Sequence, residues 1–348
     1  MFKRNLKVVT CSVLAVSMML AVAGCNKSTN GSGAAPTSTV AKTDAPKAWT
    51  PEKGITMVVP FSAGGSSDLL ARAVEKVWSK YEKQPLTVIN KTAGGGVEGA
   101  TTVARSKPDG LTFVIGYGSG HDTVMPHIQK VEYDPFKDLD PVARLSVHSI
   151  LVAVPANSQF KTIKDVIDWG KKEKKPVTAS VSTTAGSVDL VMRGIGKFGG
   201  IEVTPIPHAG GSQSITTLVG AQTMIGGGHP AEIQSQVKAN RIIPLGIATP
   251  VRDPVLKDVP TLIEQGLNFS TWGSVKGIAL PMNTPPEIKK YYENLFKKIT
   301  DDADFNKLMS DMWQPVQYQN EADFKKFFKE VFDDYGRLVK EFGLDQKK

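Results

Sequence analysis

The chain has 348 residues, of which 41% are hydrophobic and 22% are charged. This is ordinary globular composition, and the length is sufficient for two domains, each with its own core. The 42 Lys and Arg residues exceed the 34 Asp and Glu residues by 8, but the lysine runs at 171–175 and 289–298 fit solvated helix faces. Because this excess of positive charge is so diffuse, it excludes nucleic acid as a partner and supports only a mild attraction for anionic ligands.

The first 24 residues have the pattern of a secretory signal peptide. Lys3, Arg4 and Lys7 precede an apolar run over residues 8–22, which is too short to span a membrane as a stable helix and ends in small residues that suit a cleavage site. Because these three cations leave with the signal, the formal charge of +8 falls to +5 in the mature chain.

The tetrapeptide Val-Ala-Gly-Cys that ends at Cys25 resembles the lipobox of bacterial lipoproteins. The resemblance implies that Cys25 is lipidated, becomes the first mature residue and anchors an extracytoplasmic protein to the cell membrane. An ordinary signal peptide with a coincidental cysteine is the alternative. The other cysteine, Cys11, lies in the removed segment, so no disulfide or thiol chemistry is expected. Residues 25–48 are rich in Ser, Thr, Gly, Ala and Pro and predict a flexible tether.

Residues 55–78 predict a strand, a glycine turn and a helix in immediate succession. Pro60 ends the strand because proline has no N–H for a neighbouring strand, and the glycine pair at 64–65 permits a tight turn. The unpaired N–H groups at the start of the helix form an anion site. An ordinary α/β turn without a ligand is the alternative, but Phe61 on the loop and Asp68 in the first helical turn favour a ligand site.

Two further strands are predicted before residue 120. They cover residues 86–89 and 111–115, with a glycine turn at 94–96 and a helix over 97–105 between them. Three consecutive strands then end in small loops at the same sheet edge, which is where ligands of open α/β sheets bind. Tyr117 and Ser119 lie in the third loop and are candidates for ligand contact.

A second series of strands and glycine-rich or serine-rich loops begins at residue 150. The repetition predicts a second α/β domain with its own loop edge. His208 and His229 lie on two of these loops, either as ligand-contacting donors or as surface or helix-capping residues. The predicted strands of this series cover residues 150–154, 177–181, 202–206, 223–225 and 242–248.

The chain after Pro260 is predicted to be mainly helical, apart from a strand over 276–280. An apolar stripe on the last helix predicts packing against the first domain. We therefore predict that domain 1 comprises residues 49–151 and 250–348 and that domain 2 comprises residues 152–249. Two crossing segments between them permit hinge closure over a ligand.

Catalytic, cofactor and metal motifs are weak or missing in the sequence. Residues 94–99 fit the dinucleotide-binding pattern G-x-G-x-x-G, but they begin four residues after the strand, and no acidic residue ends the next strand to hold a ribose. The nucleophile motif G-x-S-x-G does not occur, and the histidines form no i, i+4 pair. We expect no enzyme, no cofactor and no metal; an exported, lipid-anchored hydrolase that uses the same loops is the rival interpretation.

Several motifs, in order over about 300 residues, closely resemble the tripartite tricarboxylate transporter substrate-binding receptors, also called Bug-type receptors. The resemblance implies a type II periplasmic-binding-protein fold, with two α/β domains and a ligand cleft between them. It also implies a carboxylate or another small organic anion as ligand and a permease of two membrane subunits as partner. We expect the receptor to be a monomer. The motifs are VPFSAGGSSD at 59–68, Asn-Lys at 90–91, AGGG at 93–96, Pro-Asp-Gly at 108–110, DLDPVA at 138–143, and VPTL at 259–262 with Glu264 and Gly266.

The resemblance also assigns ligand contacts residue by residue. Loop 1 contributes Phe61, Ala63, Gly64, Ser67 and Asp68, and the loop after the first strand of domain 2 contributes Thr183, Thr184 and Ser187. The sequence departs from the family pattern at two positions: Asp189 stands where a histidine is usual, and His208-Ala209 replaces an aromatic-lysine pair. These departures predict a ligand other than a typical di- or tricarboxylate.

Overall fold

The computed structural model describes residues 49–208 and 210–345. The predicted signal peptide, the tether and Cys25 lie outside the described residues. Within them, the strands are β1 (Ile55–Val59), β2 (Leu86–Asn90), β3 (Thr112–Tyr117), β4 (Leu139–His148), β5 (Leu151–Pro155), β6 (Val177–Val181), β7 (Val203–Pro207), β8 (Ile225–Gly228), β9 (Ile242–Ile247), β10 (Ser274–Pro281) and β11 (Val316–Gln319).

The helices alternate with these strands over most of the described chain, and a 3-10 turn covers Ala93–Gly96. They are α1 (Ser66–Trp78), α2 (Val97–Ala104), α3 (Gly120–Thr123), α4 (Met125–Ile128), α5 (Ile163–Glu173), α6 (Ser187–Gly199), α7 (Gly211–Val219), α8 (Pro230–Lys238), α9 (Pro286–Asp301), α10 (Ala303–Asp311) and α11 (Glu321–Glu341).

The strands form two mixed sheets. The first has the order β11-β4-β10-β3-β1-β2, in which β2, β1 and β3 are parallel and β10 runs antiparallel to both of its neighbours. The second has the order β7-β6-β8-β5-β9, in which β7, β6 and β8 are parallel and β5 is antiparallel to β8 and β9. Two α/β sheets with flanking helices confirm the predicted fold class.

Each sheet draws on a distinct part of the sequence. The first uses strands from residues 55–148 and 274–319, and the second uses strands from residues 151–247. One cluster of buried apolar side chains nevertheless contains members of both sheets, among them Val58, Val114, Val152 and Val177. Phe324, Phe328 and other residues of α11 belong to the same cluster, so the apolar stripe of the last helix is core packing.

Two strands of the first sheet were not predicted. β4 contains Pro141, Asp140 and Arg144, which break the apolar pattern that marks a buried strand. The sheet tolerates the proline because the pairing of β4 with β10 shifts register between Ala143 and Pro141. β11 has four half-buried residues and pairs only with β4, so it carries little periodic signal.

Candidate functional site

A cavity of about 110 Å³ lies where the loops of the two sheets meet. The first sheet contributes the loop after β1, the 3-10 turn, the start of α3 and the first residues of β10. The second sheet contributes the loop after β6 and the starts of α6, α7 and α8. Seven of the residues predicted from the sequence line this cavity: Phe61, Ser67, Ser119, Thr183, Thr184, Ser187 and His229.

Five other predicted residues do not line the cavity. Ala63 and Gly64 are exposed at the tip of the first loop. Asp68 and Tyr117 are buried behind the cavity wall, and the Tyr117 hydroxyl donates to the Pro135 carbonyl at 2.6 Å. His208 lies between the Val181 carbonyl and the Thr217 hydroxyl, at 3.1 and 2.8 Å from its two ring nitrogens.

The same turn precedes three helices that begin at the cavity or beside it. In each turn, the Oδ2 atom of an aspartate accepts a hydrogen bond from the backbone N–H of the residue four positions before it. Gly64 N lies 2.9 Å from Asp68, Gly118 N lies 2.9 Å from Asp122, and Ala185 N lies 2.6 Å from Asp189. In every case the donating residue has a positive φ, at 77°, 95° and 57° respectively.

This repeated turn explains the position of Asp68. One of its carboxylate oxygens accepts from Gly64, and the other accepts from the Asn90 side chain at 3.0 Å. The carboxylate therefore orders the loop that presents Phe61 and Ser67 to the cavity, because it accepts from the Gly64 N–H and from an amide that also donates to the Phe61 carbonyl. Asp68 thus holds the turn before α1 from behind the loop, and direct ligand contact by its carboxylate stays a prediction.

Asp189 occupies the equivalent place in the second sheet. Its carboxylate is fully buried, accepts from Ala185 N and lies 3.1 Å from Arg193 Nε. Burial raises the pKa of this carboxyl, although the Ala185 N–H and the Arg193 guanidinium oppose the rise. Asp189 does not line the cavity, and its carboxylate is held instead by Ala185 and Arg193.

Lys276 is a cavity residue that the sequence analysis missed. It lies in β10, all eight residues of which are buried, and its side chain is 1% exposed. Its Nζ donates to the Ser67 hydroxyl at 2.7 Å and lies 3.4 Å from the Ser119 hydroxyl and 5.2 Å from the centre of the Phe61 ring. Burial lowers the pKa of Lys276 to about 7, although the Glu232 carboxylate opposes the shift.

Glu232 is the second charged residue that was missed. It lies in the first turn of α8, and its Oε2 accepts from the His229 N–H at 3.2 Å, which caps its own helix. Its Oε1 accepts from the Ser66 N–H at 3.0 Å, at the start of α1. Glu232 therefore links the second sheet to the first across the cavity.

Three histidines surround this pair of charges. Burial lowers the pKa of His229 to about 4 and lowers that of His148 well below its ordinary value, so both rings are neutral near pH 7. Both nitrogens of His148 lack a hydrogen-bond partner among the described residues. His121 Nε2 lies 2.8 Å from the buried Asp122 carboxylate, and the His121 ring meets the Phe61 ring edge-on with centroids 5.3 Å apart. The described part of the chain holds no group of three or more metal-ligating side chains.

A family model described as "Tripartite tricarboxylate transporter family receptor" matches residues 70–344. This chain belongs to that family. The protein is therefore a solute-binding receptor that acts outside the cytoplasm, rather than an enzyme, and the resemblance found in the sequence is confirmed. Among residues 49–208 and 210–345, no helix has the length and apolarity that crossing a membrane requires.

Relatives of this receptor share both sequence and fold. It is 28% identical over 296 residues to "UPF0065 protein in gbd 5'region" of Cupriavidus necator, which covers 84% of this chain and 89% of that protein. The structure of MatC from Rhodopseudomonas palustris with bound malate matches at a TM-score of 0.75 and 24% identity, covering 83% of this chain and 99% of MatC. The structure of an R. palustris protein with adipate matches at a TM-score of 0.77 and 23% identity, covering 84% of this chain and 98% of that protein. These two structures show the same fold.

Proposed function

We propose that this receptor captures a small organic carboxylate in the cavity and, as a monomer, delivers it to the two membrane subunits of its transporter. The observation that carries the proposal is the buried ammonium of Lys276, which lies in the cavity wall with hydroxyl groups as its closest partners. A buried cation is costly unless an anion compensates it. The Glu232 carboxylate in the same cavity offsets only part of this cost, because the pKa of Lys276 still falls to about 7. A ligand carboxylate would compensate the rest and form charge-assisted hydrogen bonds.

The remaining cavity residues fit a carboxylate of this kind. The N-cap of α6 is Gly186, which has no side chain to cap the helix, and the start of this helix lines the cavity together with Thr183 and Thr184. A helix start of this type attracts anions through its free donors and its dipole, by roughly 0.3 to 2 kcal/mol. Phe61 would cover the apolar part of the ligand. The malate and adipate bound to the two R. palustris relatives support the same ligand class.

Ligand capture is proposed to close the two sheets around the cavity. Residues 49–151 and 250–348 would move as one domain and residues 152–249 as the other, because the chain passes between the sheets only near residues 149–150 and after residue 247. Small-angle scattering with saturating ligand should show a smaller radius of gyration than without it. Identical radii would contradict closure but not ligand binding.

Anchoring at Cys25 is proposed to keep the receptor near its transporter. Lipidation would leave residues 25–48 as the link between the membrane and the folded part. Wild-type protein is expected in the membrane fraction with the added mass of a lipid, whereas Cys25→Ser is expected in the soluble fraction without it. Equal distribution of the two would contradict the anchor.

Native mass spectrometry of freshly purified protein tests the ligand directly. We expect a bound small molecule that leaves on denaturation and whose mass and fragmentation identify an organic acid. The Lys276→Met variant should purify without it. A released compound with no carboxylate would contradict the proposal.

A further inference from the structure

The anion site at the start of α1 is already filled by the protein. Glu232 Oε1 accepts from the Ser66 N–H at 3.0 Å, so the carboxylate occupies the place that the sequence pattern reserves for a ligand anion. The start of α7 also closes around it: a Cβ atom at Gly211 would lie 2.8 Å from the carboxyl carbon of Glu232. Glycine at this position therefore leaves the room that the carboxylate needs.

Glu232 also offsets part of the charge of Lys276. The two residues line the same cavity, and Ser66 and Ser67, which hold them, are adjacent in the chain. His229 and His148 are neutral near pH 7 and add no charge. When Lys276 is protonated, the cavity thus holds its ammonium and the Glu232 carboxylate before any ligand arrives. A ligand with one carboxylate adds a single negative charge, whereas a dicarboxylate adds two beside an existing carboxylate.

We infer that Glu232 restricts this receptor to ligands with a single carboxylate, which Lys276 holds. The other groups of such a ligand are uncharged or cationic. The inference rests on the proposed function and specifies its ligand class. A second carboxylate would meet the Glu232 charge in a partly desolvated site, where like charges close together are strongly unfavourable. It would also find the N–H of Ser66 occupied.

Matched acids that differ by one charge test this inference. Succinate and adipate should be compared with their monoamides by isothermal titration at about pH 7, in wild type and in two variants. We expect wild type to bind each monoamide at least about tenfold more tightly than the diacid. Glu232→Gln keeps an acceptor for the Ser66 N–H but removes the charge, so the preference should shrink.

The second variant opens the anion site itself. Glu232→Ala frees the Ser66 N–H and the space at Gly211, so diacids should gain affinity relative to wild type while the monoamides change little. Glu264→Gln is the matched control. The Glu264 carboxylate also accepts from a backbone N–H, that of Thr261, but Glu264 lies outside the cavity. It should keep the wild-type preference.

Each result bears on a different claim. If wild type preferred diacids, or if Glu232→Gln left the ratio of the two affinities unchanged, the restriction by Glu232 would be wrong while the carboxylate receptor would stand. If no acid or monoamide bound to any of the proteins, the proposed function would fall together with this inference. A loss of folding in Glu232→Ala would leave Glu232→Gln to decide.

Discussion

The ammonium of Lys276 lies 2.7 Å from the hydroxyl of Ser67, at the start of α1. Burial opposes a charge at this place because it removes the hydration of the ammonium, and the Glu232 carboxylate compensates for it only in part. The pKa of Lys276 accordingly falls from 10.5 to about 7, so the unliganded site is poised between its charged and neutral forms near neutral pH.

Carboxylate binding should therefore depend on pH through Lys276. A bound anion favours the charged form, so binding takes up a proton wherever the free lysine is neutral. Above about pH 7, the dissociation constant should rise by about tenfold per pH unit. The other groups that face Lys276 are Ser67, Ser119, Ser274, His121, His148, His229 and Glu232; His148 and His229 stay neutral over this range.

Titration calorimetry in buffers with different ionisation enthalpies measures this uptake. At about pH 8, close to one proton should be taken up per ligand bound by wild type. Lys276→Met should take up none and bind at least about tenfold more weakly, because it lacks the charge-assisted hydrogen bond. Proton uptake that is the same in both proteins would assign it to another group.

The same lysine should lower the stability of the unliganded protein. Its folded pKa of about 7 lies below its ordinary value of 10.5, so the unfolded chain binds the extra proton between these two pH values. Stability then rises with pH across this window, by roughly 1.4 kcal/mol per unit, and the full cost applies below about pH 7. Lys276→Met should be more stable than wild type at about pH 6, with a gain that shrinks toward pH 10 in chemical denaturation.

Asp68 should act on stability more than on ligand contact. Asp68→Ala leaves the Gly64 N–H without its side-chain acceptor and removes one of the two acceptors of the Asn90 amide. It also removes one of the two carboxylates that pair with Arg72. We expect a loss of about 2 kcal/mol in the free energy of unfolding, with a smaller effect on affinity than that of Lys276→Met. An unchanged unfolding free energy together with abolished binding would show direct ligand contact instead.

The structure also changes the prediction for Asp189. The sequence places this residue on the specificity side of the site, but its buried carboxylate serves Ala185 and Arg193. Asp189→His breaks this partly buried pair and should cost about 3 kcal/mol of stability. The preference between a diacid and its monoamide should stay at the wild-type value in the folded protein. A shift in that preference would return Asp189 to the list of specificity residues.

The loops of the site could be predicted because their positions follow from local patterns. A short apolar strand, a glycine or alanine turn and a helix with an early aspartate recur at Gly64 and at Ala185, and this succession indicates where a ligand meets the sheet edge. The same local pattern could not separate the residues that face the cavity from those that hold the turn. Ser67 faces inward and Asp68 faces the loop, although they are adjacent in the chain.

The two charged residues could not be found in this way because they depend on long-range pairing. Lys276 belongs to a strand more than two hundred residues after Ser67. The sequence feature that could have indicated Lys276 is its position as the one charged residue of the segment Ser274–Pro281, because a charge in a buried strand needs a partner. In the sequence, Glu232 has the position of an ordinary helix-capping residue after His229, and in the structure one of its oxygens does cap that helix. Its second oxygen reaches a residue 166 positions away.

The most direct test of the account compares a carboxylic acid with its methyl ester in thermal unfolding. The acid identified in the purified protein, at a hundredfold excess over its dissociation constant, should stabilise wild type by about 2.7 kcal/mol, which corresponds to a rise of a few degrees in Tm. Its methyl ester should give almost no shift, because the charge that Lys276 and the α6 start require is absent, and Lys276→Met should give little shift with either compound. Equal stabilisation of wild type by acid and ester would contradict the carboxylate site.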